Sequence, residues 1–420
     1  MPPNIVLFVM DSARPDGFGC YGSPSDSSPY TDRLAESGVK FTNAYAAGGH
    51  TPISHAGLFT GYYPSKVGAT GENPVLDSDH TLARELSEEE YETLGILAAA
   101  HISEDAGYAS GFDDYIHVHQ RYSRYSFNPD LALDTALNRI WGRRDRTLFM
   151  TRLARKKLRE VSEPFFLFMN YQTSHRPYRA PFWIRKKFEH DGGDPKKTRE
   201  LMNLPANEIE EKLGSEIEMD EDDWKLIKSR FHAVLHRTDR KLGSIMNALK
   251  EEEMFEDTIF IVTSDHGDEF GEHDLFSHGY LYETNIRVPL VISGPGIPEG
   301  VEYDGLTSHL DLLPTFVSYS ESEGKSIFPL EEHDRDHIIS EETSSKAIRN
   351  DSYKLIHRKD SEDELYNLDE DPGEHENLIR SKEEVRDRLV DKLPAFQGKH
   401  GEEREPEEAM KKRLEDLGYL

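Results

Sequence analysis

Apolar residues in this chain fall mostly into short unbroken runs, and four of these runs are too short to be helices. They are Ile5–Met10, Phe165–Asn170, Ile259–Ser264 and Val288–Ser293, each bounded by turn-forming residues. Runs of this length without polar alternation predict strands buried on both faces, as in a largely parallel sheet covered on both sides. Elsewhere the period changes. From about Phe231 to Leu249, the residues Phe231, Val234, Leu235, Leu242, Ile245 and Leu249 recur on one helical face. Strands alternating with helices predict a three-layer α/β/α sandwich with a mostly parallel central sheet.

The pattern also divides the chain. Residues 1–315 read as one large α/β domain, in which the charged stretch at about 180–225 is an insertion of helices and loops over one end of the sheet. Across 316–395 the runs shorten to HIIS (337–340), YKLIH (353–357) and ELYNL (364–368), separated by acidic turns. That spacing predicts a small C-terminal α+β subdomain with an antiparallel sheet and a packed helix. Residues 396–420 are mostly charged and read as an exposed helix or a loose tail. No internal repeat is present.

Charge changes the picture of partners. Fifty Lys and Arg stand against eighty Asp and Glu, a formal net charge of −30. Such a surface repels nucleic acid and anionic lipid, and it slows an anionic substrate unless salt or a bound cation screens the field. The acid is spread along the whole chain, which reads as adaptation to a high-salt cytoplasm. Cys20 is the single cysteine, so an internal disulfide is excluded and a reducing compartment is expected. With no leader pattern and no apolar run of membrane-spanning length, the expectation is a soluble cytoplasmic, halophilic protein. The sequence sets no oligomeric state.

The chemistry sits at strand ends. Met10 runs into Asp11, and Ser264 runs into Asp265 and His266. Ligands of open parallel sheets bind just past the carboxyl ends of the strands, and two carboxylates meeting there repel unless a cation lies between them. Asp with His favours Zn²⁺ or Mn²⁺, with Mg²⁺ or Ca²⁺ as the alternatives for an oxygen-only site. Gly267 allows a tight backbone path. A third element, Gly48-Gly49-His50-Thr51-Pro52, places Thr51 at the start of a helix, where free N–H groups favour an anion. A threonine hydroxyl coordinated to a metal there is a nucleophile.

These segments resemble those of the sulfatase family, within the alkaline phosphatase superfamily. NIVLFVMDSARPDGFGCYG resembles the family's opening strand with its metal-binding aspartates, and TPISHAGLFTGYYPSKVG its nucleophile segment. FLFMNYQTSHRPY, SDHGDEFGEHDLFSHGYLYETNIRVPLVISGPG, HLDLLPTFV, YKLI and ELYNLDEDPGEHENL are similar to later family blocks in the same order, so the likeness spans about residues 4–380. The resemblance implies an alkaline-phosphatase-like α/β sheet, a small C-terminal subdomain and a divalent-metal site held by Asp11, Thr51, Asp265 and His266.

The departures are as informative. Thr51 stands where sulfatases carry the Cys or Ser that becomes formylglycine, with Ile53, Ser54 and His55 following. A threonine bears a methyl on Cβ and never yields the aldehyde. Ser12 replaces the usual second aspartate, Ala99 the lysine of a Lys-x-His element ending at His101, and His278 the lysine before LYE. What remains resembles the phosphoester branch of the superfamily, which uses a metal-bound threonine. That branch also carries a histidine thirteen residues after the Asp-His aspartate (278 − 265). The resemblance makes His175 a contact for the ester anion, His278 a ligand to a second metal or the proton donor to the leaving oxygen, and His101 a weaker candidate. His55 either replaces the missing arginine or packs, His273 reads as a surface residue, and His232, His236 and Asp239 offer a ligand face on the long helix, although that helix reads rather as structural because these residues are not in a strand-end loop. The reading is hydrolysis of phosphate mono- or diesters by in-line attack of metal-bound Thr51, on a small-molecule, glycan or lipid-headgroup ester. Alternatives are a sulfuric ester hydrolase without formylglycine, a phosphoryl-headgroup transferase and a non-catalytic binding module.

Overall fold

The computed structural model describes residues 1–70, 74–118, 146–318 and 321–396, so the expected tail at 396–420 lies, past its first residue, outside the described residues. The strands in chain order are β1 (Asn4–Met10), β2 (Gly38–Tyr45), β3 (Glu92–Leu97), β4 (Asp114–His117), β5 (Phe165–Tyr171), β6 (Thr258–Thr263), β7 (Glu269–Phe270), β8 (Phe276–Ser277), β9 (Arg287–Ser293), β10 (Val301–Tyr303) and β11 (Thr307–Ser308). They are followed by β12 (Ile338–Glu341), β13 (Ser345–Arg349), β14 (Tyr353–Arg358) and β15 (Glu364–Asn367). The main sheet has the order β10-β2-β9-β6-β1-β5-β3-β4, with β11 beside β2.

The central sheet is mostly parallel. β1 pairs in parallel with β5 and β6, setting Ile5 opposite both Phe166 and Ile259. β9 alone runs against its neighbours β2 and β6. The four strands formed by the unbroken apolar runs, β1, β5, β6 and β9, each feed two cores. Val6, Phe8 and Met10 point into one core with Phe231, Val234, Leu235, Leu242, Ile245 and Leu249 of the long helix. Ile5, Leu7 and Val9 point into the other, with Ala56, Leu58, Leu82, Leu86, Leu312 and Leu313. Helices therefore cover both faces, and the domain is a three-layer sandwich.

The long helix spans Glu221–Glu251 and begins ten residues before its predicted start. Its start is set by a cap rather than by the apolar stripe. The Asp220 carboxylate accepts the Asp223 N–H at 2.9 Å, and Asp223 in return accepts the Asp220 N–H at 3.1 Å, while Leu226 and Ile227 are already buried. The charged stretch ahead of it forms three short helices, Phe182–Arg185, Pro195–Asn203 and Ala206–Lys212.

The second sheet, β12-β13-β14-β15, is antiparallel throughout. One face, with Ile338, Ala347, Ile356 and Tyr366, packs on Tyr45, Leu281, Ile286 and Leu306 of the main domain. The other face buries Ile339, Ile348, Leu355 and Leu365 under Val385 and Leu389 of the helix Glu383–Val390. This docking carries the turn after β12 to the rim of the large sheet. Among the described residues no helix is long and apolar enough to cross a membrane.

Candidate active site

β1 and β6 are neighbours in the sheet, so their carboxyl ends release Asp11 and Asp265 at the same point of the rim. The two loops are stitched together there. Ser264 Oγ accepts the Ala13 N–H at 2.7 Å and donates to a carbonyl oxygen, and Asp265 Oδ1 accepts the N–H groups of Ser12 and His266 at 3.1 and 3.0 Å. Ser12 reaches this position with φ at +59°. Its hydroxyl donates to Asp11 Oδ1 at 3.1 Å, so the residue in place of a second aspartate supports the first.

Both carboxylates are almost wholly shielded, yet Oδ2 of Asp11 and Oδ2 of Asp265 have no hydrogen-bond partner among the described residues. Leaving buried carboxylate oxygens bare costs several kcal/mol. Burial, with Asp265 alongside, pushes the Asp11 carboxyl well above the usual range. Burial would raise Asp265 too, but the His266 and His55 rings outweigh it and hold that carboxyl down at about 2. One ligand atom each from Asp11, Asp265 and His266 lie within 4.8 Å of one another. Two orphaned carboxylate oxygens and an imidazole nitrogen facing a common point are the donor set of a divalent cation, and the residues fit one.

Thr51 opens the buried helix Thr51–Thr60, with His50 as its N-cap at φ −124°. The cap is thus one residue earlier than a Thr-Pro cap would be, and the Thr51 side chain is left for the site. Thr51 Oγ1 is 3.3 Å from His266 Nε2. His266 presents Nε2 because its Nδ1 donates to the Gly267 carbonyl at 2.9 Å, an orienting contact of the kind that fixes metal-ligand tautomers. The backbone path needs its glycines. A Cβ on Gly267 would overlap the Thr284 carbonyl, and one on Gly49 would overlap the carbonyl of Tyr280.

Around this centre stand further imidazoles. The His278 ring lies 4.4 Å from His266, 5.0 Å from His175 and 5.5 Å from His50, centroid to centroid. Burial, then the neighbouring His266 and His50 rings, drives His278 well below its ordinary value. Burial and His278 push His175 down to about 3, and burial and His50 push His101 down to about 4. These rings are neutral near pH 7.

His55 is fully buried behind Thr51. Its Nδ1 donates to the Thr51 carbonyl at 2.8 Å, and its ring packs edge-on against Phe59 and Phe168. The His232, His236 and Asp239 face makes structural contacts, as its place outside the strand-end loops suggests. Asp239 accepts the N–H groups of Tyr30 and Thr31, each at 2.9 Å, and the Thr31 hydroxyl at 2.7 Å, so it caps the helix Pro29–Glu36. His236 packs against Phe188. His273 stacks on Tyr282 with ring centroids 3.8 Å apart.

Three residues were not among the sequence candidates. Asp268 Oδ1 is 2.8 Å from His278 Nδ1, and Tyr178 OH donates to its other oxygen. Asp268 also forms a second potential ligand set with His266 and His278. Its position in the Asp-His-Gly-Asp run, inside a segment with three more carboxylates, was the available signal. His50 and Glu342 are the others. Glu342, in the turn after β12, accepts the Gly49 N–H at 2.8 Å and faces His50 Nδ1 at 3.0 Å. Burial opposes charge on His50, but Glu342 wins and raises it.

A strand-end Asp/Asp/His centre with a helix-terminal hydroxyl defines the class as an ester hydrolase of alkaline-phosphatase-like architecture, a family that uses a divalent metal. The sulfatase family model matches residues 3–321, and that of the C-terminal region of N-sulphoglucosamine sulphohydrolase matches 271–399. The chain belongs to the sulfatase family. An arylsulfatase of Clostridium perfringens is 28% identical over 450 aligned positions that cover 91% of each chain. The phosphonate monoester hydrolase of Agrobacterium radiobacter superposes with a TM-score of 0.78 at 21% identity, covering 92% of this chain and 94% of that one. A structure solved with its substrate D-glucosamine-2-N,6-O-disulfate superposes with a TM-score of 0.71 at 21% identity, covering 93% and 96%.

Proposed function

We propose that the protein hydrolyses phosphate esters, diesters ahead of monoesters, by attack of the Thr51 hydroxyl. The observation that carries this reading is Thr51 Oγ1 at 3.3 Å from His266 Nε2, where the two buried carboxylates converge. Because Thr51 cannot become an aldehyde, the hydroxyl itself must attack. A divalent cation held by Asp11, Asp265 and His266, with Zn²⁺ or Mn²⁺ suiting mixed oxygen and nitrogen donors, would supply positive charge to the hydroxyl and to the ester oxygens.

The surrounding side chains then divide the work. Thr51 Oγ bonds to phosphorus as the bond to the leaving oxygen breaks on the opposite side. His278 is held through Nδ1 by Asp268, which leaves Nε2 turned away from that carboxylate to take the Thr51 hydroxyl proton, while the leaving oxygen departs on the opposite side as the anion and takes its proton from water. Water resolves the Thr51 ester and restores the hydroxyl. His175, neutral by burial, stands beside His278 without adding charge. Neutral walls suit a singly charged diester better than a dianionic monoester, which is why diesters come first.

The arylsulfatase relative favours a second reading, in which the same hydroxyl attacks sulfur in a sulfate ester. Parallel assays of aryl phosphate, bis-aryl phosphate and aryl sulfate, each with Zn²⁺, Mn²⁺, Mg²⁺ or Ca²⁺ in molar salt, separate the two. The expected outcome is highest kcat/KM on the bis-aryl phosphate with Zn²⁺ or Mn²⁺. Preference for the aryl sulfate overturns the ordering, and undiminished turnover in chelator overturns the mechanism.

A further inference from the structure

Residues 176–188 carry five Lys or Arg and no Asp or Glu, in a chain where acids outnumber bases eighty to fifty. The segment starts at the site just described. Arg176 Nε donates to Ser277 Oγ at 3.0 Å, beside His278, and its Nη1 donates to the Leu204 carbonyl at 2.7 Å. The chain then enters the helix Phe182–Arg185, where Phe182 and Trp183 are 62% and 61% exposed. Apart from Met1 these are the only large apolar side chains exposed among the described residues, so their clustering calls for an explanation.

The helices Phe182–Arg185 and Pro195–Asn203 both pack on the long helix Glu221–Glu251. Each of the three contributes one arginine to the same neighbourhood: Arg185, Arg199 and Arg230. Among the described residues none of these forms an ion pair, whereas nearby Lys187 is paired with Asp26 at 2.6 Å. The half-buried Arg230 has as its polar contact the Met202 sulfur at 4.0 Å. Burial first, then the charges of Arg185 and Arg199, push Arg230 down to about 10. Three guanidinium groups repelling one another on an acid-rich surface are stabilised by an anion from outside. Guanidinium forks match sulfate and phosphate oxygens in pairs, and exposed aromatic faces offer flat apolar area.

We propose that Arg185, Arg199 and Arg230, together with Phe182 and Trp183, form a second binding site for an anionic saccharide. A sulfate or phosphate group remote from the cleaved ester lies on the arginines, and the sugar ring lies on the aromatic pair. This deepens the hydrolase reading and rests on it for the ester being cleaved; the substrate is then an ester on a multiply charged sugar. The cationic segment also gives such a ligand an approach across an otherwise repelling surface.

The test is direct binding of a heparin hexasaccharide to the full chain, read by titration calorimetry and by tryptophan fluorescence. Uncharged maltohexaose and phosphatidylserine-containing vesicles serve as comparison ligands. The double variant Arg185→Ala, Arg199→Ala is expected to weaken hexasaccharide binding by about tenfold or more, and Trp183→Ala to remove most of the fluorescence change. Lys156→Ala, at an exposed lysine paired with Glu160, is expected to leave both readouts unchanged. Equal affinity in wild type and double variant overturns the site, as does equal binding of maltohexaose. Arginine-dependent binding of the vesicles without binding of the hexasaccharide overturns it in favour of a membrane surface. Thermal midpoints near wild type show that a loss is local. No turnover is needed, so an inactive protein whose sugar binding depends on these arginines supports the site while sinking the hydrolase reading. An active protein whose binding ignores the arginines does the reverse.

Discussion

Replacing Asp11 with asparagine isolates the electrostatic basis of the proposed metal centre. Asp11 Oδ1 accepts from Ser12 Oγ, while its Oδ2 and that of Asp265 are bare. An amide keeps the Ser12 bond and can turn an N–H toward Asp265, converting a repulsion into an attraction. Ligand oxygens within 4.8 Å repel by about 3.5 kcal/mol at an effective dielectric constant of about 20. Protonation of Asp11, whose carboxyl is pushed up by burial and by Asp265, relieves part of this. In EDTA the variant should therefore be more stable than wild type by about 1–3 kcal/mol. The sign with pH follows from the raised folded-state value. The wild-type carboxyl contributes its full stability below the unfolded value and loses it as pH rises through the folded value, so the margin in favour of Asp11→Asn widens with pH and then levels. Saturating Zn²⁺ or Mn²⁺ should reverse the order, since a ligand at a hundred times its Kd stabilises wild type by about 2.7 kcal/mol and the variant far less. Thermal midpoints with EDTA and with each metal give the answer. A variant less stable than wild type in EDTA, or an equal metal-induced gain in both proteins, refutes the reasoning.

Three further outcomes are expected. Asp268→Asn, which keeps the shape but removes the charge orienting His278, should lower kcat on a bis-aryl phosphate by about a hundredfold and leave KM within about threefold; an unchanged kcat would remove Asp268 from the proton path. Glu342→Gln should lower the His50 pKa, measured by NMR titration. Because Glu342 raises the folded value, the thermal midpoint lost in this variant should be larger at pH 5 than at pH 8, and a pH-independent loss contradicts the pairing. Asp239→Ala should cost about 2–4 kcal/mol by stripping three hydrogen bonds from a buried cap, with the metal-induced rise in midpoint intact; loss of that rise would return Asp239 to the ligands.

Strand-end chemistry was legible because its signals are local. Asp11, Asp265 and His266 follow apolar runs that only a doubly covered sheet explains, and Thr51-Pro52 after two glycines marks a helix start. Strands of mixed character were not legible. β2 carries Lys40, Thr42 and Asn43 and lies near the sheet edge, where one-sided exposure breaks the run. The reversed direction of β9 leaves no trace in hydropathy, since Val288–Ser293 is buried on both faces whichever way it runs. Glu342 meets His50 across 292 residues, a contact made by docking one sheet on another rather than by any local spacing. Asp268 was hidden differently: it sits within a run of carboxylates, and only the fold separates it, buried against His278 and Tyr178, from the others.

The central claim is that the Thr51 hydroxyl forms the bond to phosphorus. Acid quenching during turnover of a bis-aryl phosphate, followed by peptide mass spectrometry, tests it most directly. The account predicts a phosphoryl adduct on Thr51, present only with metal and absent in Thr51→Ala, which turns over at background rate. Sustained turnover by Thr51→Ala, or an adduct on another residue, would contradict it.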